Sequence, residues 1–191
     1  TEAARAPSGS NTQPWRVVCV SGPARDRVSA AVLAAARAGE GSKEYDYMPA
    51  PLGEPYMARK RAVGFELYRL LGVAREDRAG RAEAMLRNFT FFGAPVGLFF
   101  TMERRLTYGS WLDMGIFLQS VMTVARAHGL ETCPQQSWCE FGAAVRAATG
   151  IEDEALLLCG MALGHADPEA PENGLESARE PLDGFARFLT E

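Results

Sequence analysis

Residues 6–20 read Ala-Pro-Ser-Gly-Ser-Asn-Thr-Gln-Pro-Trp-Arg-Val-Val-Cys-Val. A turn dense in small polar groups runs directly into an apolar strand, a join that presents backbone to a ligand. Pro7, Gly9 and Pro14 punctuate the turn, and Ser8, Ser10, Asn11, Thr12 and Gln13 supply short donors and acceptors. Trp15 to Val20 then reads as a buried strand. No residue of the stretch is a nucleophile with its base, and on composition alone it is equally an ordinary surface turn.

The rest of the chain limits what that turn can serve. With 191 residues, 47% hydrophobic and 23% charged, the sequence suits one globular domain over residues 1–191. A formal net charge of -4, with no basic run interleaved with aromatics, excludes nucleic acid as the expected partner. Four scattered cysteines, Cys19, Cys133, Cys139 and Cys159, imply no disulfide framework and are expected as reduced, buried thiols in a cytoplasmic protein. The chain opens at Thr1 without a charged-then-apolar leader, and a segment preceding it is expected to be absent.

Helix and strand signals alternate. After a strand at 15–21, Pro23 opens a helix to about Arg37, ended by Gly39 and Gly41. Residues 42–53 read as a long loop, 55–71 as a helix carrying the basic cluster Arg59-Lys60-Arg61, and 75–89 as another helix. That cluster is either a solvated face or a phosphate contact. Val96 to Met102 is a continuous apolar run that suits a central strand. Residues 108–128 form a helix apolar nearly all round, which predicts burial on every side, between two subunits rather than across a membrane because Asp113, Gln119 and Arg126 interrupt it. A helix at 138–149, a strand at 155–163 and a short amphipathic turn at 185–189 complete the pattern, an α+β sandwich.

Side-chain chemistry is sparse. His128 and His165 have no metal-ligand spacing with the cysteines, so no metal site is expected. A Cys139 nucleophile competes with the commoner buried thiol. Gly160-Met161-Ala162-Leu163-Gly164 lacks both Rossmann spacing and a P-loop lysine and reads as a close-packing strand end. The reactive group is then a cofactor, with binding and orientation left to the protein.

The string Pro-Ser-Gly-Ser-Asn-Thr-Gln-Pro-Trp at 7–15 resembles the signature loop of the FMN-dependent nitroreductase family, in particular its nitrobenzoate and nitroaromatic reductases. Further patches of resemblance are the Asn88 to Pro95 run, the Gly109 to Pro134 helix and loop, and Leu158 to Gly164 with Arg179-x-Pro181-Leu182. The resemblance implies a central, mostly antiparallel sheet flanked by helices, in an intertwined homodimer. It implies FMN as cofactor, NADH or NADPH as donor, a flat electron-poor acceptor such as a nitroaromatic or quinone, and ping-pong kinetics in one shared pocket.

Carried over by position, Pro7, Ser8, Gly9, Asn11 and Gln13 would line the flavin from the partner subunit, and Pro134, Gln135 and Gln136 would lie beside its ring. A backbone N–H at Gln135 or Gln136 would stand near flavin N5, and Arg179 would hold the phosphate. No catalytic side chain is implied, since flavin N5 carries the chemistry. Side chains from Tyr45 to Met57 are the expected outer wall. The family's Arg-Arg-Ser-type motif is missing from these residues. Reductive dehalogenation, flavin fragmentation and flavin binding without turnover are the alternatives.

Overall fold

The computed structural model describes residues 1–190. They group into two compact units, one of residues 1–48 and 82–166, the other of residues 49–81 with the tail from Asp167.

The first unit is built on a four-stranded, wholly antiparallel sheet of order β1-β2-β4-β3. The strands are β1 (Arg16–Ser21), β2 (Val96–Glu103), β3 (Glu131–Gln135) and β4 (Ala155–Gly164). The two central strands are the apolar runs, buried along nearly their whole length, because both faces of the sheet are covered. β3 was not expected. Its sequence Glu-Thr-Cys-Pro-Gln carries a proline, which is tolerated only because β3 is an edge strand with one row of backbone groups unpaired.

One face packs against α1 (Gly22–Ala38) and α5 (Gly142–Thr149), with Val28, Val32 and Val145 fully buried. Pro23 sits in the first turn of α1, and Gly39 closes it in the left-handed conformation, donating to the Ala35 and Ala36 carbonyls. On the same face the rings of Phe91 and Trp138 stack with centroids 4.4 Å apart. A Cβ at Gly97 would collide with Phe91 and one at Gly160 with Trp138. These glycines exist so that the aromatic pair can lie flat on the sheet, which fulfils the close-packing expectation for Gly160.

The opposite face is covered by α4 (Tyr108–Ala127), whose Met114 and Phe117 join Leu98, Phe100, Met102 and Met161 in a second core. The single chain buries one face of α4 rather than every side: Tyr108 is 91% and Leu112 69% exposed. A helix packed on one sheet has only one face to give it, so the surplus apolar surface remains open.

The register of β2 against β4 shifts between Phe100 and Thr101, leaving Leu158 without a cross-strand partner. The Tyr45 hydroxyl donates to its carbonyl at 2.5 Å, and the Tyr45 ring meets Trp111 edge-on. Tyr45 is therefore packed into the core. The start of the expected 42–53 loop is also tied down. The Ser42 and Glu44 N–H groups donate to the Glu140 and Cys139 carbonyls, and Ser42 receives bonds from Gly142 and Ala143. Two cysteines differ from expectation: Cys139 and Cys159 are buried, but Cys19 and Cys133 lie exposed on the edge strands.

The second unit holds α2 (Tyr56–Leu70) and the tail, with a single turn of 3-10 helix at Pro171–Gly174 and α6 at Leu182–Phe185. The helical turn of the tail thus ends where the expected amphipathic turn at 185–189 begins. The expected helix at 75–89 is shorter, α3 (Arg78–Leu86), followed by 3-10 structure from Arg87 to Gly93. Among the described residues no helix is long and apolar enough to cross a membrane.

Candidate functional site

The turn ahead of β1 is strained and firmly held. Ser10, Asn11 and Gln13 have φ of 50°, 59° and 46°, a left-handed region that costs a non-glycine residue about 1 kcal/mol or more. Hydrogen bonds fix this shape. The Asn11 N–H donates to the Ser8 carbonyl at 3.0 Å and the Thr12 N–H to the Gly9 carbonyl at 3.1 Å. The Gln13 N–H donates to Ser8 Oγ at 3.0 Å, and the Gln13 side-chain amide to the Asn11 carbonyl at 3.3 Å.

The anchor to the body of the unit comes from α4: the Gly9 N–H donates to Asp113 Oδ1 at 3.0 Å. One turn along α4, Phe117 stacks on Trp15 at 4.6 Å, so the strand following the turn is clamped to the same helix. The outcome is a polar loop whose residues Gly9 to Gln13 are all exposed on a fixed backbone. Asp113 escaped the assignment of site residues, although an acid inside an otherwise apolar helix was the signal for it.

The second segment lies at the end of β3. Gln135 is 2% exposed and its side chain turns inward. Its amide nitrogen donates to the Asn88 carbonyl at 2.8 Å, and its amide oxygen accepts from Trp138 Nε1 at 3.3 Å. Both polar atoms of the Gln135 side chain are thus used internally. Successive N–H groups of a strand alternate in direction, and Gln136 opens a 3-10 helix, Gln136–Glu140, where the first N–H has no acceptor within the helix. Pro134 is exposed and Gln136 half-exposed beside it.

These two segments leave the same end of the sheet from opposite edges. Val18, Phe99, Gly160 and Gln135 form one row across it, with β1 starting and β3 ending near that row. Two strands lie between β1 and β3, a separation of about 14 Å at the ~4.8 Å strand spacing. Pro7 to Gln13 and Pro134 to Gln136 are therefore not brought into one cluster within this unit.

Arg179 belongs to the second unit, is exposed, and donates to the Ser177 carbonyl at 2.8 Å and to Ser177 Oγ at 2.6 Å.

Nothing here resembles side-chain catalysis. Among the described residues no group of histidines, cysteines and carboxylates could hold a metal. Burial pushes the Cys139 thiol up to about 12 and the Cys159 thiol up to about 11, so neither is a thiolate nucleophile at neutral pH. What the geometry can do is position a ligand against oriented backbone dipoles.

Comparison with known proteins decides which ligand chemistry this fold belongs to. The nitroreductase family profile matches residues 1–165. The chain belongs to the nitroreductase family. Among nitroreductases, it is 43% identical over 187 residues to a chloronitrobenzene nitroreductase of Comamonas testosteroni, covering 97% of this chain and 82% of that one. Its fold matches the FMN and NADPH-dependent nitroreductase NfnB of Sphigopyxis sp. strain HMH with a TM-score of 0.96 at 43% identity, over 99% of this chain and 86% of that one. The FMN-dependent nitroreductase NfnB from Mycobacterium smegmatis, solved in complex with NADPH, matches with a TM-score of 0.94 at 34% identity, over 98% and 84% of the two chains. The nitroreductase fold expected from the 7–15 loop is thereby confirmed.

Proposed function

We propose that this chain is an FMN-dependent oxidoreductase that takes reducing equivalents from NADPH and passes them to nitroaromatics or comparably electron-poor acceptors. The observation that carries the assignment to these residues is the strained Ser8–Gln13 turn, held open by Asp113 and lined with exposed polar side chains. A turn free to relax would not keep three non-glycine residues at positive φ. A preorganised set of donors and acceptors fits a flavin's ribityl chain and ring polar atoms, because its ordering cost is met before the ligand arrives.

When bound, FMN supplies a two-electron carrier that exchanges hydride at N5. The chain's residues bind and orient it. Of the two glutamines in the family position, Gln136 is assigned the N–H toward the ring, since Gln135 is buried whereas Gln136 is half-exposed and opens a 3-10 helix whose first N–H has no acceptor within it. A fixed amide dipole at that point stabilises negative charge without reorganising. Gln135 serves from behind, tying the segment to Asn88 and Trp138. Arg179 is assigned to the phosphate on its place in the Arg-x-Pro-Leu motif.

The functional unit we infer is a homodimer. The turn and Gln136 leave opposite sheet edges, and α4 exposes Tyr108 and Leu112. A second copy seated on that face would bury the surplus and supply the turn to its neighbour's Gln136. The Gly160–Gly164 stretch lacks the Rossmann glycine spacing, which favours one pocket used in turn by NADPH and acceptor. The cysteine usage favours a cytoplasmic location.

Titration of FMN-free protein tests the assignment: one FMN per chain is expected. Arg179→Ala should weaken binding about tenfold or more, as for a lost charge-assisted hydrogen bond. No FMN uptake would refute the assignment, and unchanged affinity in Arg179→Ala would remove that residue from the site.

A further inference from the structure

The second unit carries a concavity whose lining includes Met57, the last residue of the expected outer wall. It has a volume of about 470 Å³ and lies along one side of α2 and the segment after it. Its apolar floor includes Phe65, Tyr68 and Val73, and its rim includes Arg61, Arg75 and Arg81. Lys60 and Arg69 also line it, and no carboxylate does. Acids stand beside it: Glu66 holds Arg69 at 2.6 Å, Glu54 stands 3.8 Å from Arg61, and Asp77 accepts from the Gly80 N–H at 2.8 Å.

The basic cluster noted in the sequence is split by the helix. Arg59 turns away to Glu180 at 2.5 Å, within the same unit. Lys60 and Arg61 instead join the concavity with Gly64, Phe65 and Tyr68, at the i, i+4, i+7 spacing of one helix face. The Arg75 guanidinium lies 5.4 Å over the Phe65 ring, and Arg81 donates to the Arg75 carbonyl. A merely solvated face has no reason to gather cations around an apolar floor.

Two requirements select the ligand. The floor gains only if an apolar body displaces water from it. The rim cations lose hydration when covered and are compensated only by an opposite charge. A neutral ring meets the first requirement alone, and an inorganic anion the second alone. The volume suits a ligand of one or two rings.

We propose that the α2 concavity binds a flat apolar anion, a ring system carrying a carboxylate or phosphate, through Arg61, Arg75 and Arg81. The chemistry is shared by an aromatic acid and by an adenine nucleotide bearing a ribose phosphate. The site is lined by the second unit alone, and its occupancy does not depend on bound flavin.

Calorimetric titration of the full, flavin-loaded chain with 2-naphthoate, 2-naphthamide, adenosine 2'-monophosphate and adenosine tests this. At least one anion should bind about tenfold or more tightly than its neutral counterpart, and the preference should shrink as salt is raised. The anion that binds tighter identifies the source. The Arg75→Gln/Arg81→Gln double variant should lose about tenfold in affinity for that anion, with the flavin spectrum unchanged. Arg61→Gln, on a separate part of the rim, should lose a smaller factor and serves if the double variant does not fold. Equal binding of charged and neutral members, or anion binding untouched by both variants, would overturn the proposal.

Discussion

Replacing Asp113 by alanine removes the acceptor that holds the Gly9 N–H at 3.0 Å and with it the bond between the Ser8–Gln13 turn and α4. A hydrogen bond to a charged group contributes about 1.5 to 3 kcal/mol, and the exposure of Gly9 lets water replace part of it, so the lower end applies. The turn also stores the strain of Ser10, Asn11 and Gln13 at positive φ, about 1 kcal/mol or more each, which is released once the anchor is gone. A loss of about 1.5 kcal/mol in favour of relaxed turns lowers the binding-competent fraction about tenfold, and the apparent FMN affinity falls by the same factor.

Asp113→Asn keeps an acceptor oxygen and should recover most of the loss. Fluorescence titration of FMN into the three proteins reads the affinities directly, and thermal unfolding checks that the fold is retained. Equal FMN affinity for the parent protein and Asp113→Ala would refute the idea that a preorganised turn holds the flavin.

Gly160→Ala should destabilise the protein by about 1 to 3 kcal/mol, because the new methyl must displace Trp138 from a fully packed stack; thermal unfolding checks it. Burial alone would raise the Glu44 carboxyl, but hydrogen bonds from Arg146 and Arg104 outweigh it and hold the group below the usual carboxylate range. Its stabilisation is therefore complete above the unfolded value near pH ~4.3 and is lost as pH falls through the depressed folded value. The gap in urea midpoint between the parent and Glu44→Gln should narrow from pH ~6 toward pH ~3. Leu112→Glu puts a charge on the exposed face of α4 and should shift sedimentation from dimer toward monomer, with loss of FMN binding.

Much of the fold was legible because its signals are local. The apolar run at 96–102, the Pro23 and Gly39 boundaries of α1 and the length of α4 each appear close to where the sequence placed them. β3 was not legible, since Pro134 argues against a strand unless the strand is known to be an edge, and edges are set by tertiary pairing. The exposure of Cys19 and Cys133 has the same origin, because both lie on edge strands. Of the site, the polar turn was evident from residue type. Its anchor was not, because Asp113 stands 104 positions away from Gly9 and nothing in either local sequence links them. Gln135 shows a further limit: its residue type suggests a ligand contact, yet the structure commits its side chain to Asn88 and Trp138.

FMN bound to this chain should pass electrons from NADPH to a nitroaromatic. The direct measurement is an anaerobic, two-step spectrum of the FMN-loaded protein. NADPH should bleach the yellow flavin band in the absence of acceptor, and an oxygen-free nitroaromatic such as 4-nitrobenzoate, added after the donor is exhausted, should restore it at one flavin per chain. A flavin that stays oxidised with NADPH, or that is bleached but not reoxidised by any nitroaromatic, would contradict the account.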